Sequence, residues 1–464
     1  MNQLIADVAS FIWWPVLILI IGGGIYLLIY SRFIQYKHFF HAIQVLRGKY
    51  DDPNAPGQIS AYKALSTALA STVGMGNLSG VAAAIALGGP GALFWMWITS
   101  LIGMSTNFFS STLASMYRGK DSAGEVQGGP MYVIQTAMGK NWQFLAYMFS
   151  ACCMIGCLPL FQANQLTQAI VDIGLKPSGV DESFVGLFGF EISLTKVIIG
   201  LIITVVVSLV VVGGIQRIGN WAGRLVPFMI VLHFVSVAVI LFYYGDKIPY
   251  YINLIFTDAF AATHYHGDPF FGGITGGLIM LGVRRATFSN EAGIGTAPMA
   301  MGASKSTQPV REGMVSMLSP VIDTIISCSL TAISILITDV WLEGNTNGIT
   351  LTAKAYRAAM PLVGDKVLLL CTVVFAISAL FSYSYYGRKA YAFIVGVERS
   401  RSYDYFYLST IVLGAVASMD LVLNIIDIAF ALMAIPTMLV TVKLAPAVMK
   451  KAKSYFSDSN GSET

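Results

Sequence analysis

Hydrophobic positions along this chain run continuously instead of alternating, in stretches long enough to cross a bilayer, and short polar connections separate them. A span needs roughly 20 residues at about 1.5 Å rise to cross about 30 Å of hydrocarbon. Backbone groups in lipid must be satisfied within the segment, and barrel strands are shorter and alternate, so these segments are helices. The pattern predicts eleven transmembrane helices, near 10–31, 59–87, 90–117, 142–173, 194–214, 218–245, 269–287, 309–340, 363–389, 404–419 and 422–449. Between the first two, Arg32 to Lys49 mixes aromatics with cations, which suits a helix lying in the interface or an ordinary cytosolic one.

Setting the first helix aside leaves ten, and two sets of five begin on opposite sides of the membrane, the arithmetic of an inverted repeat. The expected fold is an all-α integral membrane protein: a 5+5 inverted repeat plus an N-terminal extra helix. Residues 1–58 would hold that helix and the interfacial stretch, 59–245 the first repeat, 246–449 the second, and 450–464 a cytoplasmic tail. The leading helix of each set is the one most interrupted by glycine. Gly74, Gly76 and Gly80 fall in the second helix, and Gly272, Gly273, Gly276, Gly277 and Gly282 in the seventh. Discontinuous second and seventh helices are therefore expected, and paired breaks point to a binding site near the midplane.

In the second helix, ALASTVGMGNLSGVAAAI (Ala68 to Ile85) places small and polar residues in mid-span. Glycine permits an unwound turn there, which frees amides and carbonyls at bilayer depth. A carboxylate is expected at the half-helix N-terminus after Gly76 and Asn77. Carbonyls around Ala70 to Val73 face the other way and suit a small cation. Close packing of small residues is the alternative. In the seventh helix, amides at Gly273 to Gly277 are expected to face a substrate, with Arg284 and Arg285 marking the cytoplasmic end. Ser289, Asn290, Glu291, Gly293, Gly295 and Pro298 read as a polar gating loop or as a cytosolic connection. Asp323 and Asp427 are the clearest ionisable groups deep in spans, as cation or proton ligands or as hydrogen-bond partners of a broken helix. Gln162 and Asn164 suit an ammonium or amide, or a bond between helices.

Composition narrows the class. With 56% hydrophobic and 11% charged residues, and a mean hydropathy of +0.69, a soluble domain could not hide its apolar surface. The net charge of +4 reflects cations gathered on the odd connections and the C-terminus, which places the N-terminus outside and the C-terminus inside. No nucleic-acid patch is needed to explain it. The first apolar stretch reads as a retained helix, not a signal peptide. All five cysteines lie in apolar segments without ligand spacing, as packing residues. His264 and His266 beside Asp268 read as a solvated loop more readily than as a metal site. No H-E-x-x-H, phosphate loop or nucleophile elbow is present, so no enzyme is nominated.

Several ordered motifs carry a resemblance: the stretch from Ala68 to Ile85, GGPGALFWMW (Gly88 to Trp97), GGPMY (Gly128 to Tyr132), QAN (Gln162 to Asn164), FSNEAGIGTAP (Phe288 to Pro298), SYYG (Ser384 to Gly387) and ALMAIP (Ala431 to Pro436). Over essentially its full length the chain resembles the alanine or glycine:cation symporter family. The resemblance implies the inverted five-helix repeat shared with amino acid/polyamine/organocation carriers and neurotransmitter:sodium symporters, with one extra N-terminal helix. It implies uptake of alanine or glycine with sodium, occasionally protons, by alternating access in a prokaryotic cytoplasmic membrane, with no cofactor beyond the coupling ion. By resemblance, Met75 and Gly76, followed by Asn77, cradle the carboxylate. Gln162, Gly273, Ile274, Thr275 and Gly276 line the pocket and Tyr383 closes over it. Sodium would sit between backbone oxygens of Ala70 and Val73 and the ninth helix near Ala376, Ser378 and Ala379. The chain departs from the family's G-T-G-N at Met75 and from its G-W-S-Y-Y-G-E at Tyr383 and Arg388. Asn107 and Ser110 stand where the family usually has Lys and Glu, and Ala379 where it has a hydroxyl. A non-transporting amino acid sensor or binding subunit on the same fold, or a proton-coupled carrier of a different amino acid, is the competing reading.

Overall fold

Ser60 starts the first interrupted helix: its Oγ accepts from Lys63 N at 3.3 Å. Ser193 caps a later one in the same way through Lys196 N, also at 3.3 Å. Such caps satisfy one otherwise orphaned donor and contribute about 1 kcal/mol each. Pro309 stands in the first turn of another helix, where its missing N–H costs nothing.

The structure, a computed structural model, describes residues 2–50, 55, 57–179, 182–187, 190–266, 273–344 and 348–460. In chain order the main helices are α1 (Val8–Tyr30), α2 (Ala61–Thr72), α3 (Gly76–Gly88), α4 (Gly91–Met116), α5 (Gln143–Gly156), α6 (Leu160–Ala169), α7 (Leu194–Val211) and α8 (Gly214–Tyr244). They continue as α9 (Ile248–Ala261), α10 (Gly273–Asn290), α11 (Thr296–Met301), α12 (Pro309–Ile337), α13 (Ile349–Ala359), α14 (Gly364–Val395), α15 (Arg401–Val416) and α16 (Met419–Asn460). Two small hairpins, β1 (Gly119–Lys120) with β2 (Val126–Gln127) and β3 (Phe184–Leu187) with β4 (Phe190–Ser193), sit in connections. Among the described residues eight helices are long and apolar enough to cross a membrane, or nine if the bent pair α2 and α3 counts as one span.

Burial follows position in the bundle. The α4 and α14 windows are 72% and 67% buried, whereas α7 is only 33% buried and turns Leu201, Ile202 and Val205 outward, as a lipid-facing helix should. Helix α2 packs between α8 and α14, and α10 against α4. Gly282 permits the second contact, because a Cβ there would overlap Trp95.

Several details go beyond the sequence pattern. The Arg32 to Lys49 stretch forms two short helices, Ile34–Lys37 and Phe39–Leu46, folded onto the end of α16. His38 stacks on Phe456 at 3.8 Å between centroids, and His41 shares a 2.9 Å hydrogen bond with Tyr455 OH. The predicted tail after residue 449 continues as helix to Asn460. The fourth predicted helix is interrupted between Gly156 and Leu160, where Pro159 lacks the amide a continuous helix needs. Two connections contain helices of their own, α9 and α13. The first is tied to the α3–α4 turn by Gly91 N donating to Asp258 Oδ2 at 3.0 Å and Trp95 Nε1 donating to Ala259 O at 2.9 Å. His264 shares a 2.9 Å hydrogen bond with Asp258 Oδ1, so its ring braces that turn; Asp268 lies outside the described residues.

Candidate functional site

The first break lies where the glycines of the second helix place it. Val73 leaves the helix with ψ near 80°, Gly74 N donates to Asn77 Oδ1 at 2.8 Å, and Asn77 N returns to Gly74 O at 3.1 Å. The halves α2 and α3 diverge by 43° across this turn. Glycine is needed for close approach on both sides. A Cβ on Gly74 would stand 3.2 Å from Ala379 Cβ, and one on Gly76 would stand 3.3 Å from Ser289 Cα. Met75, between them, is fully buried. The first amides of α3 have no intrahelical acceptors, which makes its start a place for a carboxylate.

Gly272 lies outside the described residues, and the second break is not among Gly276, Gly277 and Gly282. Helix α10 runs unbroken from Gly273 to Asn290, and the chain unwinds at Glu291, Gly293 and Gly295, with φ of 55°, 88° and 108°. Gly276, Gly277 and Gly282 stay helical, because small residues in a membrane helix serve packing as readily as unwinding. Gly273, Ile274, Thr275 and Gly276 form the first turn of α10, with Ile274 52% exposed and Thr275 Oγ1 reaching Phe260 O on α9 at 3.4 Å. That turn is roughly 22 Å along the helix axis from Glu291. The structure does not bring those four residues to Met75 and Gly76. Arg284 and Arg285 are drawn into the bundle. Both lie within α10 and bond Asp427 Oδ2, near the start of α16, at 2.6 Å each.

The two breaks face one another. Asp323 on α12 joins them: Asn77 Nδ2 donates to its Oδ1 at 2.7 Å and Ser289 Oγ to its Oδ2 at 2.8 Å. Glu291 accepts from Tyr383 OH at 2.6 Å, from Thr296 Oγ1, and from Ser71 Oγ at 3.5 Å. Among the described residues no Lys, Arg or His lies within ion-pair distance of either carboxylate. Phe288 closes one side of the gap, edge-on to Phe161 at 4.9 Å and tilted against Phe430 at 6.0 Å. Behind that cluster lie Arg284, Arg285 and Asp427, and Trp13 Nε1 donates to Asp427 O at 3.0 Å.

Sequence candidates fall unevenly around this gap. Gln162, beside Phe161, is buried, and its Oε1 has no hydrogen-bond partner. Asn164 instead ties α6 to the end of α15, donating to Ala417 O at 2.6 Å and Gly414 O at 3.2 Å. Ala70, Val73, Ala376, Ser378 and Ala379 are all buried where α2 meets α14. The Ser378 hydroxyl, however, donates to Phe375 O at 2.9 Å and lies 3.5 Å from Met229 Sδ on α8. Asn107 is buried with neither side-chain polar atom partnered.

A cavity of about 260 Å³ opens beside hairpin β1–β2, lined by Gln58, Tyr132, Tyr385, Arg388 and Lys389 among others. Lys389 is buried there and donates to Met299 O at 2.8 Å and Tyr385 OH at 3.1 Å. Arg388 pairs with Asp404 at 2.9 Å. Sequence reasoning missed Ser71, Thr296 and Lys389. The signal for the first two was a hydroxyl close in sequence to each break, and for Lys389 a cation in an apolar run.

Comparison with known proteins agrees with this architecture. The family described as the sodium:alanine symporter family matches residues 1–464. The chain is 35% identical over 463 residues to the sodium/alanine symporter AgcS of Methanococcus maripaludis, covering 98% of this chain and 97% of that one. It is 34% identical over 469 residues to an uncharacterized transporter of Haemophilus influenzae, covering 98% and 96%. It is 30% identical over 457 residues to the probable sodium/glutamine symporter GlnT of Bacillus subtilis, covering 97% and 90%. The fold is that of MhsT, solved in complex with L-phenylalanine, with a TM-score of 0.57 at 11% identity over 85% of this chain and 98% of that one. The chain belongs to the sodium:alanine symporter family.

Proposed function

We propose that this protein is a secondary active symporter that imports a small neutral amino acid together with sodium by alternating access. In this reading it sits in a prokaryotic cytoplasmic membrane as eleven transmembrane helices, N-terminus outside and C-terminus inside. The helices from α2 through α8 and from α10 through α16 form the two inverted sets. One observation carries the proposal: the α2–α3 and α10–α11 breaks are buried against each other, with Asn77, Ser289 and Asp323 bonded between them. Regular helices have no reason to stop winding in lipid unless the freed groups find a partner.

The substrate carboxylate meets the amides of Met75 and Gly76 and the dipole of α3. Its ammonium is within the chemistry of Gln162 Oε1, an acceptor otherwise left buried and unpaired. Met75, Phe161 and Phe288 crowd the side-chain direction, which favours a small residue such as alanine or glycine. Tyr383 shapes the site through its bond to Glu291. Sodium is the expected companion because relatives are named as sodium symporters. The aromatic cluster of Phe161, Phe288 and Phe430, backed by the Arg284–Arg285–Asp427 contact, forms the outer barrier. The cavity at Lys389 forms the cytoplasmic exit.

A scintillation-proximity competition panel on purified protein tests the assignment. Labelled L-alanine should bind saturably, sodium should tighten it, and small neutral amino acids should displace it better than charged ones. Indifference to all twenty amino acids, with and without sodium, would remove the proposal.

A further inference from the structure

We propose that the coupling sodium ion is held on the Glu291 carboxylate, inside an oxygen cage formed with Ser71, Thr296, Tyr383 and Tyr386; this rests on the symport reading above. Three observations carry it. The first is charge. Glu291 is 1% exposed and takes hydroxyl donors from Tyr383, Thr296 and Ser71. All three hydroxyls are placed to donate to the ionised form, and that form, deep in a membrane bundle, requires a compensating cation. Among the described residues no side chain supplies one.

The second observation is ligand chemistry. Each hydroxyl that donates to Glu291 keeps lone pairs for a hard cation, which prefers oxygen. Tyr386 adds a further hydroxyl, fully buried beside Ser71 and Glu291, with Cys157 and Tyr385 also near it. The third is backbone placement. Glu291 adopts a left-handed conformation unusual for a side chain of its size, directly after the C-terminal turn of α10, whose carbonyl end is the negative pole of that helix.

Neighbouring alternatives are weaker. The α2–α14 contact at Ala376 and Ala379 offers no formal charge, and the Ser378 hydroxyl is turned toward Met229. Asp323 is bonded by Asn77 Nδ2, an N–H donor that cannot ligate a cation, while Asn77 Oδ1 is taken by Gly74 N, and Cys328 Sγ lies 3.3 Å from that nitrogen and 3.1 Å from Ser289 Oγ. It serves as a staple between the breaks. Because Ser71 precedes the first break and Thr296 follows the second, a cation on Glu291 draws the two broken helices together. That supplies the differential affinity by which an ion can bias one conformation.

Binding of radioactive sodium to the purified full-length protein tests this without any amino acid. Wild type should bind saturably, Glu291→Gln should weaken binding at least about tenfold, and Thr296→Val and Tyr386→Phe should each weaken it by about threefold or more. Sodium affinity in Glu291→Gln equal to wild type overturns the proposal, as does wild type that binds no sodium. Should Glu291→Gln fail to fold, the other two variants decide, and unchanged affinity in both overturns it. Sodium binding without amino acid flux would sink the symport reading and leave this site standing. Flux whose sodium dependence ignores Glu291 would do the reverse.

Discussion

The Tyr383 hydroxyl donates to Glu291 Oε1 across 2.6 Å, and through that bond the long helix α14 grips the break between α10 and α11. Tyr383→Phe deletes the donor and leaves Glu291 with Thr296 and Ser71. The expected stability loss is about 1 kcal/mol, that of a single buried hydrogen bond. Sodium for half-maximal uptake should rise, and thermal unfolding and uptake curves on the same preparation measure both effects.

Gly76 faces Ser289 so closely that an added Cβ would stand 3.3 Å from the Ser289 backbone. Gly76→Leu should therefore abolish amino acid binding by filling the gap between the breaks. Cys152 is only partly buried and ligates nothing, so Cys152→Ala should bind within about twofold of wild type, as substitutions away from such features usually do. Equal binding by the two variants would show that the site lies elsewhere.

Two alanine substitutions distinguish the observed seventh-helix break from the one its glycine content suggests. Gly276 is inside α10, so Gly276→Ala should be neutral or stabilising by up to about 1 kcal/mol. Gly295 has φ of 108°, and its Cβ would meet Thr437 Oγ1 at 2.6 Å and Pro130 Cγ at 2.7 Å. Gly295→Ala should lower both the unfolding temperature and transport. A harmful Gly276→Ala with a silent Gly295→Ala would return the break to the earlier glycines.

Asp427 holds two guanidinium groups at 2.6 Å each, on side chains 16% and 7% exposed. Asp427→Asn leaves two neighbouring cations without their anion, and breaking a buried pair by removing one partner costs about 3–5 kcal/mol. The unfolding temperature in detergent should fall by several degrees, and adding Arg285→Gln should recover part of it. No change in either variant would mean that solvent already screens the pair.

Long apolar periodicity made the helices legible, and the glycines flanking Met75 made the first break legible, because both signals are local. The second break misled for a physical reason. Five glycines between Gly272 and Gly282 resemble a weak point, yet three of them stay helical and Gly282 accommodates Trp95, while the unwinding falls on Glu291, Gly293 and Gly295. Glycine number does not separate packing from unwinding, and neither does a single positive φ, since Gly273 at 73° opens α10; the chain unwinds where Glu291, Gly293 and Gly295 take positive φ together. The pairing of Arg284 and Arg285 with Asp427 was not legible, since that partner lies more than a hundred positions away. The polar run from Ser289 to Gly295 was visible as a candidate gating loop. Its partners Ser71, Tyr383 and Asp323 come from three other helices, and no local pattern joins them.

The most direct test of the account is accumulation of labelled L-alanine in proteoliposomes under an inward sodium gradient. Label should concentrate above its external level, leak back when the gradient is dissipated, and fail to accumulate in Gly76→Leu. Label that never enters, although the protein binds it, would contradict transport and make the protein an amino acid sensor.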